Sequence, residues 1–119
     1  MTKRFPFIVL CGLMLVVAGA QGDTSIPSTP AAIAAGKKLV FSKSKANCIA
    51  CHQVKGAEMA GDIAQPLQPP FPHPDRLYAQ IWDARQNYGS NTIMPPYGAN
   101  HILNKKQIME IMAFLYSLK

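Results

Sequence analysis

The sequence predicts an all-α domain of about three helices joined by two long irregular segments. Apolar residues recur at three- and four-residue spacing in three stretches of the chain, which is typical of amphipathic helices. No stretch shows the sustained alternation of a half-buried strand, and no internal repeat is visible. With 119 residues, the chain is long enough for one small domain and too short for two.

The first 20 residues have the pattern of a secretory signal. Lys3 and Arg4 precede an almost unbroken apolar run, 5–18, which is followed by small residues and then by a polar segment. The run is shorter than the roughly 20 apolar residues needed to span a bilayer, which argues against an uncleaved anchor. We therefore expect residues 1–20 to be a signal peptide that is cleaved after Ala20, with export to the periplasm.

The mature chain would consist of a flexible lead-in, 21–28, and a folded domain, 29–119. Its formal charge would fall from +6 to +4, because Lys3 and Arg4 leave with the signal. The remaining lysines are not interleaved with aromatic residues, so we expect no nucleic-acid partner. We also expect no membrane association after cleavage.

The first helix is expected to begin after Ser28 or Thr29, either of which can cap it, with Pro30 in its first turn. It should end within 43–47. Gly36, in its middle, disfavours a helix by up to about 1 kcal/mol relative to alanine. This glycine indicates either a close approach by another helix or a chance occurrence.

Two proline-containing segments separate the remaining helices. Five prolines within 53–74 forbid a regular helix, and 91–102 is interrupted in the same way. A loop as long as 53–74 is unusual in a small domain and indicates a functional role or a wrapped prosthetic group. A helix is predicted over 76–88, and the last one begins at a capping box formed by Asn104 and Gln107.

Residues 48–52 read Cys-Ile-Ala-Cys-His, the C-x-x-C-H pattern of covalent haem attachment. Two thiols three positions apart can add to the two vinyl groups of one haem, while the adjacent imidazole lies under the iron. A thioredoxin-like pair needs a βαβ context and a zinc site needs four suitably spaced ligands, and neither pattern is present. The sequence therefore predicts one haem c attached to Cys48 and Cys51, with His52 as an iron ligand.

Met94 is the expected sixth ligand of the iron, because it lies in a loop stiffened by two prolines and a thioether opposite histidine suits an electron carrier. Met59 is too close to His52 along the chain to cross the ring plane. The two methionines of the last helix are better explained as core residues. His101 is the alternative ligand, and His73 is expected to be exposed.

The His52 ring should donate its other N–H to a backbone carbonyl, which fixes the tautomer and the ring plane. We expect the carbonyl of Pro66 to accept this bond, with Gln65 as the neighbouring alternative. Tyr97 and Trp82 could pack on the haem or bind a propionate, although buried aromatic residues often only fill space.

The segment Asn91–Gly98 and the hydrophobic end of the last helix, 113–118, are similar to the T-x-M-P-P-aromatic-G loop and closing helix of one cytochrome family. Residues 61–67 resemble its G-N-I-G-P-x-L stretch, with Ala64 and Gln65 where glycine and often proline are usual. The chain thus resembles class I monohaem cytochromes c, and more narrowly the SoxX subunit of the SoxAX complex of sulfur oxidation.

The resemblance implies a class I cytochrome c fold wrapped around one haem, and a redox role within L-cysteine S-thiosulfotransferase. In that family the complex joins thiosulfate to a cysteine of the carrier protein SoxY and releases two electrons. The implied partners are a SoxA-like cytochrome subunit, which supplies the catalytic cysteine-ligated haem, and a small cytochrome that receives the electrons. No catalytic residue is expected on this chain, because thioether bonds consume both mature cysteines.

Two other functions stay open. A free-standing periplasmic electron shuttle would use lysines near the presumed haem edge for docking, although such lysines are usually a solvated face. A haem-based sensor or ligand binder would need an open or labile sixth position on the iron. The lysines concerned are Lys37, Lys38, Lys43, Lys45 and Lys55.

Overall fold

The computed structural model describes residues 25–119, within which four α-helices and no β-strand occur, so the all-α prediction is confirmed. The helices are α1 Pro30–Phe41, α2 Pro74–Trp82, α3 Arg85–Tyr88 and α4 Lys105–Ser117. Single turns of 3-10 helix occur at Cys48–Ala50 and Gly89–Asn91. The predicted signal peptide, 1–20, and residues 21–24 of the predicted lead-in lie outside the described residues. Between residues 25 and 119, no helix is long and apolar enough to cross a membrane.

Helix α1 begins where the sequence predicts and ends earlier. The Thr29 hydroxyl accepts the Ala32 N–H at 3.2 Å, so Thr29 is the cap and Pro30 occupies the first turn. At the other end, Ser42 is extended and its N–H bonds to the Leu39 carbonyl at 3.2 Å. The predicted end within 43–47 is therefore wrong, because the chain turns out of the helix at Ser42.

The prediction of a single helix over 76–88 is wrong, because the chain breaks in the middle of this range and forms α2 and α3. Asp83 ends α2 in an extended conformation, and its carboxylate accepts the Arg85 N–H at 3.1 Å. The same carboxylate binds the Arg85 guanidinium through two bonds of 2.7 and 2.8 Å. A local side-chain cap thus replaces the continuing helical bonds. Helix α2 also begins earlier than predicted, at Pro74, with His73 as its cap.

Helix α4 begins as predicted. The Asn104 side chain accepts the Gln107 N–H at 2.9 Å, and the Gln107 side chain accepts the Asn104 N–H at 3.0 Å. This capping box satisfies two N–H groups that the helix end leaves unpaired. The helix then supplies most of the largest fully buried side chains of the core, which are Val40, Leu103, Ile108, Ile111, Met112 and Leu115.

Helices α1 and α4 cross in direct backbone contact at Gly36. A Cβ atom built on Gly36 would lie 1.8 Å from the carbonyl oxygen of Glu110, far inside van der Waals contact. The close approach that Gly36 indicated is therefore confirmed. Beside the crossing, the rings of Phe41 and Phe114 meet edge to face with their centroids 6.2 Å apart.

Helix α4 also anchors the long loop 53–74. The Tyr116 hydroxyl donates a hydrogen bond to the carbonyl of Pro72, and the centroids of the Phe71 and Tyr116 rings lie 5.7 Å apart. Within the same loop, Val54 near its start and Leu67 further along form an isolated parallel β-bridge. These contacts hold a proline-rich segment in place without any regular helix.

Replacing Gly36 by alanine should destabilise the protein by about 1–3 kcal/mol, because the new methyl group would force the two helices apart. Urea unfolding of the haem-bearing protein measures this change. Ala34→Gly is the matched control at an exposed position of the same helix, and we expect it to cost only the propensity difference of about 1 kcal/mol. An increase in stability for Gly36→Ala would contradict the close crossing.

Candidate functional site

The chemistry-bearing residues Cys48, Cys51 and His52 lie on one tight turn that follows α1. Asn47 takes the left-handed conformation with φ 49° and starts the turn. The N–H groups of Cys51 and His52 both bond to the Cys48 carbonyl, at 3.2 and 3.0 Å. Both thiols are half-buried and are not joined in a disulfide, so both remain available for thioether bonds.

The environment of the Cys48 thiol does not suit redox chemistry of its own. Burial raises the pKa of Cys48 to about 11, whereas redox-active Cys-x-x-Cys pairs depend on a lowered pKa. In residues 25–119, no three His, Cys, Asp or Glu side chains are grouped so as to hold a metal ion. This arrangement suits two thiols that bond to the edge of one macrocycle and an imidazole that binds the metal at its centre.

The ring of His52 is anchored by a backbone carbonyl. Its Nδ1 lies 2.6 Å from the carbonyl oxygen of Gln65. Because a carbonyl can only accept, Nδ1 carries the proton, and the lone pair of Nε2 is left to bind iron. The prediction of Pro66 is wrong by one residue, and the neighbouring alternative is the acceptor.

The loop that carries Gln65 folds back onto the attachment turn. Gly61 N–H bonds to the Ile49 carbonyl at 2.8 Å, and Ala64 N–H bonds to the Cys51 carbonyl at 3.0 Å. A Cβ atom on Gly61 would lie 2.1 Å from the carbonyl oxygen of Ala50. Glycine is therefore required where the two backbones meet, and the loop supports the turn from one side.

The segment that contains Met94 is fixed to the end of α2. The Trp82 carbonyl accepts the N–H groups of Gly98 at 3.0 Å and Ala99 at 3.1 Å. A Cβ atom on Gly98 would lie 2.1 Å from the Trp82 indole, which itself stacks on Tyr78 with ring centroids 6.0 Å apart. Trp82 therefore acts as a platform for the Met94 segment.

Tyr97 ties the same segment to the attachment turn. Its hydroxyl donates to the carbonyl of Ala46 at 2.6 Å, two residues before Cys48. Both Tyr97 and Ala46 are buried. The hydroxyl thus has a backbone partner, and the bond spans 51 residues of sequence to hold the two halves of the site together.

The candidate iron ligands differ in their exposure. Met94 is half-buried, whereas Met59 is 88% exposed. His101 is exposed and has a φ of 56°, and exposed His73 is occupied as the cap of α2. Met112 is fully buried in the core.

Sequence reasoning missed the groups that hold Met94. The Met94 N–H bonds to the Thr92 hydroxyl at 3.2 Å, and the Met94 sulfur receives a hydrogen bond from the Gln80 amide at 3.5 Å. Gln80 is in turn bonded by Asn87 at 2.9 Å. No sequence signal suggested the pair of Gln80 and Asn87, because residues seven apart in a continuous helix lie two turns from each other and do not touch.

The residues present fit a covalent haem, with two free thiols on one turn and an imidazole held in the tautomer that can bind iron. A family model described as cytochrome c matches residues 33–119. The chain belongs to the cytochrome c family. It is accordingly a haem electron-transfer protein that carries covalently bound haem c, with Cys48 and Cys51 in the attachment positions.

This cytochrome is also similar in structure to a chain in the crystal structure of SoxXA from P. pantotrophus. The two are 26% identical and superpose with a TM-score of 0.61. The match covers 72% of this chain and 80% of the other. No individual curated protein matches the sequence.

Replacing Tyr97 by phenylalanine should lower the free energy of unfolding by about 1–3 kcal/mol, because the buried Ala46 carbonyl would lose its partner. Urea unfolding near neutral pH measures the loss. Tyr88→Phe is the control, since Tyr88 is 63% exposed, and it should change stability little. A loss no greater than that of the control would contradict the structural role of the Tyr97 hydroxyl.

The same pair of variants should differ at alkaline pH. Burial raises the pKa of Tyr97 above its ordinary value of 10.0. The folded protein therefore keeps this proton more tightly than the unfolded chain, and the stability gained is complete below pH 10 and lost as the pH rises through the raised pKa. Tyr97→Phe should not show this part of the alkaline decline.

Proposed function

We propose that this cytochrome is the SoxX-like, electron-accepting subunit of a periplasmic complex that conjugates thiosulfate to a cysteine of a SoxY-like carrier. The observation that carries the proposal is the similarity to a chain of SoxXA over 80% of that chain. The Met94 loop and the closing helix, on which the sequence resemblance rests, lie within the matched family region. The proposed complex belongs to the class L-cysteine S-thiosulfotransferase.

In this proposal each residue of the site has a separate role. Cys48 and Cys51 would hold the haem through thioethers, and His52 and Met94 would supply the ligands of its iron. When bound, the haem would supply reversible one-electron transfer. Gln65 keeps the His52 tautomer that can bind iron, and ligation by Met94 would leave no need for an exogenous ligand.

The bond-making step is assigned to the partner. Joining a thiosulfate sulfur to a thiol sulfur removes two electrons, yet a single haem accepts one at a time. A second acceptor is therefore required, either the haem of a SoxA-like subunit or a small downstream cytochrome. Once both thioethers have formed, Cys48 and Cys51 offer no thiolate for attack on sulfur compounds. The catalytic cysteine is accordingly expected on the SoxA-like subunit.

A free-standing electron shuttle is the second candidate. The observation in its favour is a set of exposed lysines before and after the attachment turn, which could steer the protein to acidic redox partners. These residues are Lys37, Lys38, Lys43, Lys45 and Lys55. The shuttle requires a monomer, whereas the enzyme subunit requires a stable haem-protein partner.

Mass spectrometry of the protein purified from the periplasm of thiosulfate-grown cells, without denaturant, tests the proposal. We expect a chain that begins at Gln21, carries one haem and is held to a second c-type cytochrome. Recovery of the haem-bearing chain alone, with rapid electron transfer to a terminal oxidase, would favour the shuttle. A chain that retains residues 1–20 would contradict signal cleavage.

Replacing Met94 by alanine should leave the haem attached but open the sixth position and lower the reduction potential. Absorption spectra, carbon monoxide binding to the reduced protein and redox titration measure these effects. Met59→Ala is the control, because its side chain is 88% exposed and should not reach the iron. An unchanged spectrum and potential in Met94→Ala would remove Met94 as the ligand and leave His101 to be tested by the same substitution.

A further inference from the structure

Two amide side chains form a hydrogen-bonded relay to the Met94 sulfur, with Gln80 next to the sulfur and Asn87 next to Gln80. The Gln80 Nε2 atom lies 3.5 Å from the Met94 sulfur. On its other side, the Gln80 Oε1 atom accepts a hydrogen bond of 2.9 Å from the Asn87 Nδ2 atom. The same Asn87 nitrogen also lies 3.4 Å from the backbone carbonyl of Arg76. Gln80, Asn87 and Met94 are all at least partly shielded from solvent.

The Arg76 carbonyl, at the end of the relay away from Met94, sets the orientation of both amides. The Arg76 carbonyl can only accept a hydrogen bond, so Asn87 must present its NH₂ group there. That nitrogen has a second proton, which goes to the oxygen of Gln80. With its oxygen engaged, Gln80 must present its own NH₂ group to the sulfur, which can only accept. The chemistry of the partners therefore fixes both amide orientations.

The break between α2 and α3 positions the relay. Arg76 and Gln80 lie on α2, whereas Asn87 lies on α3 beyond the Asp83 cap. The ion pair between Asp83 and Arg85 holds the start of α3 through two bonds of 2.7 and 2.8 Å. Asn87 is thus carried on a short, separately capped helix that directs it back towards α2.

We propose that Gln80, oriented by Asn87, is a positioning residue that holds the Met94 sulfur for the iron and tunes the reduction potential. The inference rests on the proposed ligation by Met94. A thioether sulfur has two lone pairs, so one can bind iron while the other accepts the Gln80 N–H. Ferric iron draws more electron density from the sulfur than ferrous iron does and leaves it a poorer acceptor. The bond therefore stabilises Met94 ligation in both states but stabilises the ferrous state more. The amide gains and loses no proton when one electron enters or leaves.

Gln80→Leu tests the proposal in the intact haem-bearing protein. We expect a lower reduction potential and a weaker or shifted sulfur-to-iron charge-transfer band in the ferric protein. Added imidazole should displace Met94 at about fivefold lower concentration, the equilibrium equivalent of one neutral hydrogen bond. A merely structural role for Gln80 would lower stability without moving the potential and the band together.

Asn87→Asp tests the orientation of the relay with almost no change of shape. A carboxylate can only accept, so it would turn the Gln80 amide round and present oxygen to the Met94 sulfur. We expect the band to weaken and imidazole to bind more tightly, as in Gln80→Leu. The band and the imidazole affinity report ligation, so they separate this effect from the added negative charge. Should Gln80→Leu fail to take up haem, this variant carries the test.

Gln86→Leu is the matched control, because Gln86 is exposed and adjoins Asn87. It should leave the potential, the band and the imidazole affinity unchanged. If the unmodified protein lacks the sulfur-to-iron band, the proposed ligation by Met94 fails. If the band is present but Gln80→Leu and Asn87→Asp behave like Gln86→Leu, only the relay is overturned.

Discussion

The rest of the structure depends on the close crossing of α1 and α4 at Gly36. Helix α1 leads into the attachment turn, and helix α4 follows the Met94 segment along the chain. Gly36 lets the backbone of α1 rest on the Glu110 carbonyl, and the bond from Tyr97 to the Ala46 carbonyl joins the two functional segments. The buried side chains of α4 then stabilise this arrangement of the two segments, which the connecting loops alone could not hold.

The functional residues themselves lie on irregular chain, which is common when a rigid scaffold presents a site. Individual backbone contacts substitute for secondary structure there. The Trp82 carbonyl accepts two N–H groups of the Met94 segment, and Tyr97 reaches the Ala46 carbonyl from the same segment. Gly61 and Gly98 allow contacts that any side chain would block. The site is consequently held by a few individual contacts to the backbone.

Sequence reasoning could predict the features that depend on local chemistry. The α4 capping box and the attachment motif each follow from residues close together in the chain, whereas Gly36 left a close helix approach as one of two alternatives. The break at Asp83 was missed because a local carboxylate cap overrode a continuous helical pattern. The choice of Gln65 over Pro66 depends on which way a loop carbonyl faces, and the contact of Gln80 with Met94 depends on tertiary structure. Neither leaves a distinct periodicity in the sequence.

The crossing of α1 and α4 also has a consequence for biosynthesis. Its two partners, Gly36 and Glu110, lie far apart in the sequence. The core cannot assemble until the chain has been made through α4, because α4 supplies most of its largest fully buried side chains. This late assembly suits the export across a membrane that is proposed for this chain.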